Sequence, residues 1–207
     1  MKSIVAACTV MALWACKPVP VYEALKDLQG EKYMRRLEAG QHRIKLRYIP
    51  GTLRLLSRQG LDSSRTVDRS LLDSLQKTET SIEGLSFILR LEPKDSAVGM
   101  GLEHDVVYGG LAGFGSYQEA SQTYMFGLGQ KIWLELDGKK QSLSQYHMEN
   151  SWGMNPGRSF YLVFKLPAGK KPGDPLSFRL VLDDIVPGLS RKKVEWKLPL
   201  GKYDGLI

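Results

Sequence analysis

Glu103, His104 and Asp105 stand side by side, and carboxylates beside an imidazole are side chains that bind zinc. On an extended chain neighbours point to opposite sides, so at most two of the three share one ion and further ligands must come from elsewhere. His147 with Glu149 is better spaced, but the three histidines form neither an HExxH motif nor a His pair. Asp183 and Asp184 follow a strand pattern, where loop carboxylates can hold Ca²⁺ together with carbonyl oxygens; the alternative is a turn in which both bond nearby backbone N–H groups. They are the single weak metal option of the sequence. Gly110-Leu111-Ala112-Gly113-Phe114-Gly115 would let backbone N–H groups approach a phosphate. However, the order is not GxGxxG, no GK[ST] follows and no parallel βαβ unit surrounds it, so a surface loop is expected. No GxSxG elbow exists, and Ser116 reads as a helix cap. No catalytic residue and no cofactor is assigned. An envelope hydrolase using paired carboxylates stays open as an alternative, because spatial pairing is invisible in a sequence.

Charge offers a second kind of chemistry. The formal net charge is +7, and the excess is local. Between Lys32 and Arg69 ten basic residues, among them Arg35, Arg36, Arg43, Lys45, Arg47, Arg54 and Arg58, face three acidic ones. For an exported chain nucleic acid is not the expected partner; anionic lipid, lipopolysaccharide phosphates or an acidic protein fit better. A solvated face is the alternative reading of the same stripe. Trp133 and Tyr161 lie opposite the apolar faces of their strands, which makes them a possible sugar or protein contact and supports a carbohydrate-binding module as a further alternative. Cover by an N-terminal helix would remove that contact, and it is the preferred reading.

These residues need elements to position them. Val21 to Ala39 read as a helix, with Val21, Leu25, Leu28, Tyr33 and Leu37 at helical spacing, a break plausible at Gly30 and a stop at Gly40. His42 to Ile49 alternate: Ile44, Leu46 and Tyr48 on one face, Arg43, Lys45 and Arg47 on the other. A second strand is expected over Thr52 to Arg58, a helix over Ser64 to Lys77, and a strand through Leu85, Phe87, Leu89 and Leu91. A short helix from Tyr117 to about Phe126 would be capped by Ser116 and Glu119 and ended by Gly127. Ile132, Leu134 and Leu136 run into an Asp137-Gly138 hairpin turn, with Leu143 to Met148 returning. Three further alternating strands centre on Phe160 to Leu166, Leu176 to Leu182 and Val194 to Leu198. The class is therefore α+β: mainly an antiparallel, Ig-like β-sandwich over 80–207, with a helical and basic-strand region over 21–79.

Residues 1–15 differ from domain sequence. Lys2 is followed by an uncharged apolar run, Ile4 to Ala15, too short for the ~20 residues of a spanning helix. The run ends in Leu13-Trp14-Ala15-Cys16, which resembles the lipobox of bacterial lipoproteins. That resemblance implies a signal peptide over 1–15, diacylation of the Cys16 thiol, and a lipidated tether over 16–20 made stiff by Pro18 and Pro20. With Cys8 removed, the mature chain would have no disulfide. Lys17 after the cysteine implies the outer membrane where the usual sorting rule applies.

Tyr146 to Pro156 followed by Phe160-Tyr161-Leu162-Val163-Phe164, Phe178 to Gly188 with Asp183-Asp184, and Tyr48-Ile49-Pro50 are similar to segments of uncharacterised lipoproteins of diderm bacteria. The resemblance implies an Ig-like sandwich and lipidation, and no activity. The expected function is that of a membrane-anchored, non-enzymatic binding or envelope-assembly component of the cell envelope.

Overall fold

The structure, a computed structural model, describes residues 19–58, 66–67, 84–94, 105–109, 111, 113–149, 156–166, 168–170 and 175–200. Cys16, Glu103, His104 and most of the helix expected over Ser64 to Lys77 lie outside these residues.

Eleven strands and four helices are described, and every strand pairing is antiparallel. β1 (Val19–Pro20) leads into α1 (Val21–Leu28), a 3-10 turn (Glu31–Tyr33), β2 (Met34–Ala39), β3 (His42–Ile49), α2 (Gly51–Arg58), β4 (Thr66–Val67) and β5 (Gly84–Pro93). Next come α3 (Phe114–Gln122), a π-helical turn (Thr123–Gly127), α4 (Leu128–Lys131), β6 (Ile132–Leu136), β7 (Lys139–Ser142), β8 (Gln145–Met148), β9 (Arg158–Lys165), β10 (Leu176–Leu182) and β11 (Lys192–Leu198). One sheet runs β2-β3-β5-β9-β8 and a second β11-β10-β6-β7, while β1 and β4 pair separately. The result is a β-sandwich of the α+β class.

Alternation in the sequence accounts for the two sheets. Ile44, Leu46 and Tyr48 of β3 face Leu91, Leu89 and Phe87 of β5, and Phe160, Leu162 and Phe164 of β9 continue the same side. The second sheet supplies Ile132 and Leu134, Phe178 and Leu180, and Val194 and Trp196, all buried. Rings join the sheets: Phe87 lies 5.9 Å from Phe178 and 5.8 Å from Trp196, and Tyr48 lies 6.1 Å from Trp196. Burying each such side chain contributes ~1.5–3 kcal/mol, so removal of apolar area from water holds the layers together.

Several local expectations are corrected. The helix expected through Ala39 stops at Leu28. Met34–Ala39 instead form a strand paired residue for residue with β3. Gly40, at φ 55°, supplies the tight reversal between them. One turn of helical spacing at Tyr33 and Leu37 could not outweigh a complete ladder with β3. Thr52–Arg58 is part of helix α2, not a strand: Pro50 precedes its first turn, the Pro50 carbonyl accepts from Arg54 N–H at 3.3 Å, and Leu53 packs inward. Thr66–Val67, expected in a helix, pair with Val19–Pro20 as short strands, which also orders the end of the expected tether. Helix α3 starts at Phe114 with Gly113 as its cap, which places Ser116 inside the first turn and not at the cap position. The strand that returns from the hairpin is Lys139–Ser142, not Leu143 to Met148. β7 pairs with β6, the chain crosses sheets at Leu143-Ser144, and β8 pairs with β9. Nor is the basic strand packed on the sandwich from outside; β3 is an interior strand of its five-stranded sheet.

Asp137-Gly138 forms the expected turn. Both residues adopt positive φ, 48° and 74°, as a two-residue hairpin with right-handed strand twist requires.

Candidate functional site

Strand register sorts the basic stripe. On β2 and β3, Arg36 sits opposite Lys45 and Glu38 opposite Arg43; on β3 and β5, Arg43 meets Glu92, Lys45 meets Arg90 and Arg47 meets Ile88. Directly opposite residues share a face. Arg36, Arg43, Lys45, Arg47 and Arg90 therefore project from the outer face of the five-stranded sheet, together with Glu38 and Glu92.

Ion pairs lace this face. Arg36 meets Glu31 at 2.6 Å, Lys45 and Arg90 both meet Glu92 at 2.6 Å, and Lys94 meets Glu38 at 2.7 Å. Burial pushes the Glu92 carboxyl up, but Lys45 and Arg90 overcome it and hold the group below its ordinary range. Glu31 is lowered through its hydrogen bond from Arg36, and Glu38 through its bond from Lys94. Arg47 donates to the Gln29 carbonyl at 2.9 Å. Pairs this exposed add little to stability, because solvent screens them.

The expected seven-residue patch is not one surface. Arg35 lies opposite Leu46, on the inner side, with its guanidinium 4.4 Å above the Trp196 ring and bonds to the Lys32 and Met34 carbonyls. Arg54 belongs to α2 and donates to the Gly84 carbonyl at 3.1 Å. Arg58 is the last residue of the same helix. Alternation assigned Arg43, Lys45 and Arg47 to one face; the position of Arg35 followed only from the strand that replaced a helix.

Beside the cations is an apolar groove of about 370 Å³. Ile88 and Tyr161, neighbours across β5 and β9, contribute from the sheet, while Leu53, Arg54 and Ser57 contribute from α2 and Ile49 from the end of β3. Among the described residues no carboxylate lines it.

The outer face of the four-stranded sheet is closed instead. Trp133 is only 7% exposed, with Lys140 Nζ at 4.1 Å and the Arg191 guanidinium at 5.4 Å from its ring. Cations this close to an indole are held by its quadrupole. Around it, Lys193 meets Glu135 at 2.9 Å and Arg179 meets Glu195 at 3.0 Å. Tyr161 is 37% exposed and lies on the other sheet. The two aromatics thus occupy outer faces of different sheets, which separates the expected shared contact surface. The cover over Trp133 comes from Lys140 and Arg191, not from an N-terminal helix.

Asp183 and Asp184 each face a cation. Arg191 meets Asp183 at 2.8 Å and, by that hydrogen bond, lowers its pKa; Lys131 meets Asp184 at 3.4 Å, and Asp184 takes a positive φ of 49°. Among the described residues no group of three or more His, Cys, Asp or Glu gathers as a metal site. Asp105, one of the adjacent metal-ligand candidates, is buried against Arg158 in an ion pair and accepts from the Val107 and Tyr108 N–H groups. Breaking one partner of such a pair costs ~3–5 kcal/mol because the other charge stays buried. The signal for it was the parity of β9, which puts Arg158 on the same side as Phe160, Leu162 and Phe164.

A second feature missed from the sequence is the aromatic surface of α3 and the π-helical turn. Phe114 and Phe126 are 80% and 79% exposed, while Tyr124 turns inward and donates to the Ile185 carbonyl at 2.9 Å. Burial, with a smaller contribution from Asp184, pushes the Tyr124 hydroxyl up to about 12.

No protein-family model matches the sequence, and no curated protein matches it. Among solved structures, a DUF4426 family protein from Pseudomonas aeruginosa PAO1 is similar over 80% of this chain and 93% of that one, at 9% identity and a TM-score of 0.30. This is a distant structural neighbour, and at that score it carries no argument for fold or function.

Proposed function

We propose that the protein is a lipid-anchored component of the bacterial cell envelope, held through Cys16, that docks the outer face of its five-stranded sheet on anionic lipid. The observation that carries the reading is the gathering of Arg36, Arg43, Lys45, Arg47 and Arg90 on one sheet face against Glu38 and Glu92. Ion pairing fixes these side chains without cancelling the excess of positive charge. The tether supports the same orientation, because Val21, where α1 begins, is five residues from Cys16, and the backbone at Gln29 after that helix bonds Arg47. Cations next to an anionic bilayer contribute about 1 kcal/mol each. Lys17 supports placement in the outer membrane, and the positively charged surface supports a binding or assembly role.

Two measurements test this. Cys16→Ser should move the protein from the membrane fraction to the soluble one after a high-salt wash; retention there removes the lipid anchor. The same variant should sediment with phosphatidylglycerol vesicles at low salt and lose that binding as salt rises, while leaving phosphatidylcholine vesicles free. Equal sedimentation with both would end the electrostatic reading.

A further inference from the structure

We infer that the groove between α2 and the five-stranded sheet is a binding site for one acyl chain of an anionic phospholipid. This deepens the docking proposal and rests on it for the source of the lipid. The groove's volume of about 370 Å³ is at the small end of the ~300–1,000 Å³ typical of ligand pockets. Ile49, Leu53, Ile88 and Tyr161 give it an apolar body suited to methylene groups. Charge complementarity selects the other end of the ligand. Arg54 lines the groove, Arg47 lies opposite Ile88 in the sheet register, and none of the described lining residues is acidic. An apolar chain ending in a phosphate matches both parts; a sugar would leave the aliphatic wall without a partner, and a cationic amphiphile would meet two guanidinium groups.

Neighbouring geometry brings the site to the bilayer. The row Arg47, Ile88, Tyr161 crosses from the cationic strands to the groove without leaving the outer face. A phospholipid whose head group rests on the cations can therefore place a chain beside Tyr161, and the exposed part of that ring marks the mouth.

The test uses the full chain carrying Cys16→Ser, with pyrene-acyl phosphatidylglycerol as the probe and pyrene-acyl phosphatidylcholine as its control, both below the concentration at which they aggregate. Saturable binding of one phosphatidylglycerol per chain is expected, at least tenfold tighter than phosphatidylcholine. Tyr161→Asp and Ser57→Asp, at two exposed groove positions, should each weaken it at least tenfold with Tm unchanged. Unsaturable binding, equal affinity for the two head groups, or full binding by both variants would overturn the assignment. The head-group comparison needs no groove substitution, so it decides even if a variant lowers Tm. Combined Arg36→Gln, Arg43→Gln and Lys45→Gln substitutions, which leave the groove lining intact, should abolish vesicle sedimentation yet keep binding of the dispersed probe. Loss of groove binding alone and loss of surface docking alone are thereby distinguished.

Discussion

The two outer faces of the sandwich carry similar residues and end in different states. Each has an aromatic side chain on an interior strand, lysines and arginines on its neighbours, and carboxylates between them. On the four-stranded sheet the cations fold over the aromatic: Lys140 and Arg191 cover Trp133, and Lys193 and Arg179 pair with Glu135 and Glu195. On the five-stranded sheet the ion pairs lie to one side, leaving Tyr161 and the groove beside α2 open. The difference lies in what the neighbouring cation does. Lys140 stands one pleat from Trp133 and reaches over its ring, whereas Arg90 stands one pleat from Tyr161 and turns to Glu92 instead. A sealed face contributes to stability; an open one is available for contact.

The comparison can be broken first at the two rings. Trp133→Ala should lower unfolding free energy by about 3–5 kcal/mol, as for a buried large aromatic, whereas Tyr161→Ala should stay within ~0.5 kcal/mol. Denaturant midpoints at constant m-value measure both, and equal losses would erase the distinction between sealed and open.

Neutralising charge tests the other half. Replacing Arg36, Arg43 and Lys45 by Gln should weaken vesicle binding by about 3 kcal/mol, roughly two orders of magnitude. The matched triple on the other sheet, Lys140, Arg179 and Lys193 to Gln, should leave vesicle binding unchanged within about twofold while lowering Tm. If the second triple abolishes binding as well, net charge and not the face is responsible.

Acid should act on the sandwich in two stages. Burial lowers the pKa of His42, at the start of β3, below its ordinary 6.5, so the folded state binds fewer protons there than the unfolded one. Its contribution is present above 6.5 and is lost as pH falls through the lowered folded value. Glu92, Glu135 and Asp183 are also held low, and what they contribute is present above the ordinary carboxylate values of 4.5 for glutamate and 3.8 for aspartate and lost below them. Stability measured against pH should therefore fall in two stages. His42→Gln should remove only the upper stage, and an unchanged profile in that variant would mean another group titrates there.

The smallest effect is expected from Lys140→Gln alone. Losing one cation over Trp133 should cost ~0.5–1 kcal/mol and increase quenching of indole fluorescence by iodide. Unchanged quenching would show that Lys140 does not cover the ring.

Legibility varied with the kind of information each residue needed. Strands β3, β5, β6, β9, β10 and β11 were readable because large apolar side chains recur at every second position in each, and the hairpin at Asp137-Gly138 was readable because its residues tolerate positive φ. Met34–Ala39 was not, since Tyr33 and Leu37 satisfy a helical period over a single turn and only the opposing β3 ladder favours a strand. The outward placing of Arg43, Lys45 and Arg47 came from parity alone. The groove did not, because it needs α2 from one part of the chain against Ile88 and Tyr161 from two others.

By itself, then, the sequence determined the class of fold, the faces of its long strands and the apolar, cysteine-ended N-terminus that suggests an anchor. All of these depend on near neighbours, through strand periodicity and local composition. Tertiary structure decided that Arg35 turns inward to Trp196, that Asp105 meets Arg158, that Trp133 is covered and that Tyr161 is open. Those outcomes depend on how the sheets and loops pack and on which way each side chain turns, and such contacts leave no periodic signal along the chain.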